Sequence, residues 1–156
     1  MITDQVIGSL NSKKNIFTDR FGQLSYPDLS PTEASFLQNQ HPGHVFIAYG
    51  NLAPGGIHHN FIKNIPGQWQ KGTIWGKLEN KGWVADLGYS GYSPASEETA
   101  NPIEAHILFS DDLGNHWRRL DEFVGEGYTR QLTRFSTEDG TESTGYIYVV
   151  RSSGIY

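Results

Sequence analysis

Tyr49, Gly50, Asn51 and Leu52 follow directly on the apolar run HVFIA and precede APGG, so a strand is expected to end there in a tight turn. Such a turn presents consecutive backbone N–H groups to an anion. Gly50, Asn51 and Leu52 are therefore either a cradle for a carboxylate or oxyanion, with the Asn51 amide as an extra donor, or an ordinary strand end. A second segment, LDEFVGEGYTR at 120–130, gathers the carboxylates of Asp121, Glu122 and Glu126 just ahead of Tyr128 and Arg130. Tyr128 and Arg130 stand two apart on an expected strand and so face one side. There a phenol and a guanidinium could orient a polar ligand, or simply close a barrel face.

Other chemistries lack their residues. Without a single cysteine the chain has no thiolate nucleophile, disulfide or Cys-based zinc site. His41 and His44 flank Pro-Gly and His58 adjoins His59, spacings too tight or too turn-bound for a helical His-x-x-x-His metal pair. GNLAPGG lacks the Gly-Lys-Ser/Thr ending of a phosphate loop, and GYSGYS at 88–93 has no strand-to-helix context for a nucleophile elbow. No metal or cofactor is expected.

The elements that must position these residues can be read in order. Residues 1–29 are mixed and polar without a sustained period, an extension that either wraps the domain or is partly mobile. In SPTEASFLQNQ, Ser30 suits the N-cap, Pro31 the first turn and Glu33 a capping box, which predicts a short helix to about Gln40, stopped by Pro42-Gly43. A buried strand follows from His44. Residues 69–87 read as two strands joined at Asn80-Lys81-Gly82, and 103–109 as another after the polar loop SPASEETANP. Ser110-Asp111-Asp112 offers an N-cap and acidic first turn for one helix carrying Leu113, Trp117, Leu120 and Val124 as a buried stripe. Two strands, 128–137 and 143–151, are joined by the hairpin turn EDGT, in which Asp139-Gly140 accepts positive φ.

A chain of 156 residues is of single-domain size, and 13% aromatic content with 18 Gly and 7 Pro suits a strand-rich, turn-rich globular protein. The expected architecture is α+β, a small mixed barrel of about six strands with packed helices. Its boundaries are an N-terminal extension with a short helix at 1–43 and the barrel domain at 44–156. The net charge of -5, with no basic cluster beyond Lys13-Lys14 and Arg118-Arg119, argues against nucleic acid as a partner. MITDQVIGSL has no basic start leading into an apolar stretch, and no apolar run is long enough to span a membrane, so a cytoplasmic protein without a membrane partner is expected.

Several of these segments together resemble one family. Ala48-Tyr49-Gly50-Asn51-Leu52 is similar to the Y-G-[ST]-[LN]-[LMR] signature that opens γ-glutamylcyclotransferase-like and plant AIG2-like domains, with Asn51 at the usual Ser or Thr. GTIWGKLENKGWVA resembles the family's G-x-[VI]-x-G-x-L strand and turn, and Tyr146-Ile147-Tyr148-Val149 its closing strand. The pattern L-D-x-[FLY]-E-G followed by Tyr-x-Arg is met by Leu120, Asp121, Phe123, Gly125, Tyr128 and Arg130, and only its Glu is replaced, by Val124. The likeness covers residues 45–150, with the motifs in order.

The resemblance implies a reaction in which the free α-amine of a γ-glutamyl group attacks its own side-chain carbonyl, closing 5-oxoproline and expelling an amine. Because nucleophile and electrophile are tethered, the protein need supply only a proton shuttle and donors for the oxyanion and the α-carboxylate. By resemblance, Tyr49, Gly50, Asn51, Leu52, Tyr128 and Arg130 bind a small γ-glutamyl or amino-acid-like ligand. The shuttle position holds Val124. Glu122 is about 200° away around a helix and points elsewhere. Asp121, about 60° around and nearly a turn back, matches the family's Leu-Asp pair and reads as structural. Glu126, just past Gly125, is the carboxylate best placed to swing in as the catalytic group. The alternative is a binding or regulatory module that keeps the pocket and has lost turnover.

Overall fold

The structure, a computed structural model, describes residues 2–14, 16–49, 54, 59, 62–79, 91–94, 101–125 and 128–150. Among the described residues the strands are β1 (Phe17–Thr18), β2 (Leu24–Ser25), β3 (Val45–Ala48), β4 (Gln68–Glu79), β5 (Gly91–Pro94), β6 (Asn101–Phe109), β7 (Tyr128–Thr137) and β8 (Glu142–Val150). The α-helices among the described residues are α1 (Ile2–Asn11), α2 (Pro31–Gln40) and α3 (Trp117–Val124).

Strands β3, β6, β4, β7 and β8 form a closed ring. The β3–β6, β6–β4, β4–β7 and β7–β8 pairs are antiparallel, and β3 meets β8 in parallel at Phe46 and Tyr146. Short β5 bridges β4 and β8 at one end. The fold is thus the α+β mixed barrel expected from sequence. Two glycines let the ring close. A Cβ on Gly72 would lie 2.7 Å from the Ser136 carbonyl where β4 meets β7, and one on Gly145 would lie 2.6 Å from Val45 Cγ1 where β8 meets β3.

Strand alternation sorts the apolar residues into two clusters. Val45, Ile47, Ile74, Ala105, Ile107, Phe135, Ile147 and Val149 form one of them. Their intervening neighbours Phe46, Ala48, Leu108, Leu132, Tyr146 and Tyr148 join Val6, Ile7, Leu10, Trp117 and Leu120 from the helices in the other. β3 is therefore buried on both faces, as its unbroken apolar run requires.

The segment read as an extension without a period contains a helix. α1 buries Val6, Ile7 and Leu10 against the barrel, and Asn11 at its end donates to the Leu132 carbonyl and accepts from the Leu132 N–H, both at 2.9 Å. One side-chain amide thus pairs with β7 as a neighbouring strand would. The β1–β2 hairpin then docks on α3, where the Phe21 carbonyl accepts from the Arg118 N–H at 2.8 Å. α2 has the expected cap: Ser30 Oγ accepts from the Glu33 N–H at 3.1 Å, and Glu33 accepts from the Ser30 N–H at 2.8 Å.

The single helix expected from Ser110 onward is instead a 3-10 turn, Leu113–Asn115, followed by α3. Asp112 does not cap. Its carboxylate turns to the Asn115 amide at 3.0 Å and the His116 ring at 2.7 Å, while Ser110 Oγ accepts from the Asp112 N–H at 3.1 Å. Leu113, Trp117 and Leu120 are buried as expected, and Val124 is half-buried. The polar loop SPASEETANP is shorter than expected, since Ser93 and Pro94 end β5 while Asn101 and Pro102 begin β6. The turn at Asn80-Lys81-Gly82 and the strand expected to Leu87 lie outside the described residues. The hairpin after β7 has positive φ at Gly140 alone, with the Gly140 N–H bonded to the Thr137 carbonyl at 3.0 Å. Among the described residues no helix is long and apolar enough to cross a membrane.

Candidate functional site

At the C-terminal end of β3, Tyr49 is half-buried and its hydroxyl donates to the Tyr148 carbonyl on β8 at 2.7 Å. Register places Arg130 opposite Tyr148 and Tyr128 opposite Val150, so the expected Tyr128–Arg130 face lies beside β8 at this end of the ring. The helix end arrives from the other side. Val124 and Tyr128 both pack on the apolar cluster that contains Leu120 and Tyr148. Gly50, Asn51, Leu52 and Glu126 lie outside the described residues.

Between helix and sheet is a polar cluster. Tyr148 Oη donates to Asp121 Oδ1 at 2.7 Å, and Arg130 Nη2 approaches Asp121 Oδ2 at 3.4 Å. The Arg130 guanidinium carbon lies 4.5 Å from the Trp117 ring centre and 5.3 Å from that of Tyr146, in the corner of two rings that meet edge-to-face at 5.6 Å. Further along, the Tyr26 and Tyr146 hydroxyls meet at 2.8 Å, and the Trp117 indole N–H donates to the Gly43 carbonyl at 2.9 Å. Edge-to-face contacts of Phe46 with Trp117 and Tyr148 fix the rings.

Burial pushes the Asp121 carboxyl above its ordinary value, opposed by the Arg130 charge and the Tyr148 hydrogen bond. Tyr148 is raised well above the ordinary phenol value, first by burial and then by the Asp121 charge, so it remains a donor. A half-buried carboxyl with a raised proton affinity, one helical turn from Val124, is a group that can exchange a proton. Sequence reasoning gave Asp121 a structural part only. The missed signal was the alternation of β8, which places Tyr146 and Tyr148 on one face beside Arg130.

Two of the open cavities lined by described residues reach the other end of β3. One, lined by Tyr26, Trp117 and Arg130, sits under the β1–β2 hairpin. The other is a groove along His44, Phe109 and Asp112. Both touch His41 and His44, at the opposite end of β3 from Tyr49.

No family model matches the sequence, and no curated protein sequence matches it. Solved structures do match. An AIG2-like protein from Mus musculus aligns over 72% of this chain and 80% of its own, with a TM-score of 0.54 at 15% identity. YkqA from Bacillus subtilis aligns over 69% of this chain with a TM-score of 0.53 at 19% identity. This chain spans 36% of YkqA's length. Motif order in the sequence and backbone geometry in space thus agree that this chain has the AIG2-like, γ-glutamylcyclotransferase-type fold.

Proposed function

We propose that this protein binds a small γ-glutamyl or amino-acid-like ligand at the C-terminal end of β3, on a cyclotransferase scaffold that lacks the usual catalytic carboxylate. The observation that carries the reading is Val124, half-buried on the apolar cluster at the helix position where the resemblance calls for Glu. In this reading the Gly50, Asn51 and Leu52 amides hold the ligand's carboxylate, Tyr49 anchors the turn through Tyr148, and Tyr128 lines the ligand. Arg130 contributes through Asp121 and Tyr148 rather than by direct contact.

One observation favours a second reading, a working cyclotransferase. Asp121 holds its proton more tightly than an ordinary Asp and lies one turn from Val124. It could take the proton from the attacking α-amine and pass it to the departing amine as the γ-amide bond breaks and the five-membered ring closes. Glu126, the substitute favoured by sequence, remains a candidate for the same step.

The experiment offers the protein a panel of γ-glutamyl amines and peptides, following free 5-oxoproline and thermal stability in the wild type, Val124→Glu, Asp121→Asn and Glu126→Gln. The binding reading expects ligand-dependent stabilisation of the wild type without turnover, and turnover only in Val124→Glu, since acid-base catalysis supplies about 10²–10⁴-fold in rate. Wild-type turnover abolished by Asp121→Asn establishes the second reading instead. Turnover lost in Glu126→Gln alone moves the role there.

A further inference from the structure

Arg130 has donors that its neighbours do not use. Its side chain is only 4% exposed, yet Nε and Nη1 are buried without a hydrogen-bond partner. Nη2 alone is engaged, by the Gly22 carbonyl and by Asp121 at 3.4 Å. A guanidinium has five N–H donors and keeps its charge at every physiological pH. Two buried guanidinium nitrogens without a partner are costly, so they call for an acceptor.

The cavity beside it is about 290 Å³, the lower end of the range for small-molecule sites. Trp117, Tyr146, Leu24 and Leu37 supply apolar lining, and Tyr26 and Gln23 supply polar lining. Two acidic groups bear on its charge. Asp111 lines the mouth, but its side chain is fully exposed and it pairs with His44 at 3.5 Å. Asp121 is 36% exposed and also accepts from Tyr148, so solvent and the phenol share its charge while Arg130 stays dry.

We propose that the cavity under the β1–β2 hairpin is a binding site for a small carboxylate, with Arg130 as its charged donor and the Trp117 and Tyr146 rings as its walls. The hairpin forms the roof. It is tied down by the Phe21 carbonyl on Arg118, the Gly22 carbonyl on Arg130 and the Gln23 amide on the Gly114 carbonyl at 3.2 Å. A carboxylate reaching the buried nitrogens displaces part of this roof. The cavity opens beside His41 and His44, at the far end of β3 from Tyr49, and shares Arg130 with the cluster behind the site proposed above.

The test is a titration of the full ¹⁵N-labelled chain with acetate, butyrate, benzoate and glutamate, with inorganic phosphate and methylammonium alongside. The readouts are the Trp117 indole N–H and the Arg130 Nε–H resonances. Carboxylates are expected to shift both along one saturable curve, while methylammonium leaves them still. Arg130→Lys keeps the charge but not the fork, and should raise the dissociation constant about tenfold or more. Gly43 lines the cavity and a Cβ there meets nothing within 4 Å, so Gly43→Phe should crowd the site and weaken binding in a chain that still folds. Shifts that never saturate, tighter binding of phosphate than of any carboxylate, or unchanged affinity in both variants would overturn the proposal. None of these outcomes depends on 5-oxoproline release, and Gly43→Phe, remote from Tyr49, separates this site from the ligand-binding end of β3, with which it shares Arg130.

Discussion

At the scale of single residues, the pair Asp121–Tyr148 carries the most consequence. The Tyr148 hydroxyl bonds to a carboxyl that burial has already made reluctant to ionise. Removing that donor with Tyr148→Phe should raise the Asp121 pKa further, because a hydrogen bond to the charged form is lost while the burial remains. Arg130→Met should move it the same way through loss of the nearby cation. Carboxyl ¹³C titration of Asp121 checks both, and a fall in either variant would show that Asp121 is governed by groups other than these. Stability should also drop by about 1–3 kcal/mol in Tyr148→Phe, since Asp121 keeps its burial and loses a partner. Of this cluster, the sequence disclosed the members that fall inside short motifs: Tyr49, Asp121, Tyr128 and Arg130. It did not disclose Tyr26, Trp117 or Tyr146 as members, because the Tyr26–Tyr146 contact spans 120 residues of chain and depends on which face of β8 Tyr146 takes.

Among the elements, α2 was legible and α1 was not. The cap of α2 is local: Ser30, Pro31 and Glu33 sit within four residues of one another and say where the helix starts. α1 is interrupted in composition by Gly8, and its anchor is Asn11 on Leu132, far along the chain. The break between the 3-10 turn and α3 is hidden in the sequence for a related reason. Asp112 looks like a capping residue, yet Asn115 and His116 compete for its carboxylate. Glu33 shows a local signal with a second, non-local part. Besides capping α2 it accepts from Ser9 of α1 and pairs with Lys13 at 3.1 Å. The Ser30 N–H first, then Ser9 and Lys13, hold its carboxyl at about 2, below the ordinary 4.5. Because the folded value is depressed, this contribution to stability is complete above about pH 4.5 and is lost as the pH falls toward 2. Glu33→Gln should therefore lower the thermal midpoint at pH 6 and narrow its gap to the wild type as acid is added. Melting curves across that range decide the matter, and a gap that stays constant with pH would remove Glu33 as the acid-sensitive link between α1 and α2.

For the whole molecule, the question is what closes the barrel. The apolar run of β3 and the alternation along β7 and β8 announced strands, but a ring also needs its strands to come close where the seams fall. Gly72 and Gly145 stand at two such seams and differ in what opposes them. The obstacle to a Cβ at 72 is a backbone oxygen, that of Ser136 at 2.7 Å; the obstacle at 145 is a side chain, Val45 Cγ1 at 2.6 Å. Backbone in a paired strand cannot give way without breaking the ladder, whereas a side-chain methyl can be removed. Gly72→Ala and Gly145→Ala should each cost about 1–3 kcal/mol by overpacking. Adding Val45→Ala should recover part of the loss in Gly145→Ala, because the two substitutions share one contact, and recover nothing in Gly72→Ala. A double-mutant cycle by chemical denaturation measures this coupling directly. Equal coupling of Val45→Ala to both glycines would mean that the seams strain as one body, and zero coupling at Gly145 would mean that β3 and β8 part instead of packing around the added methyl.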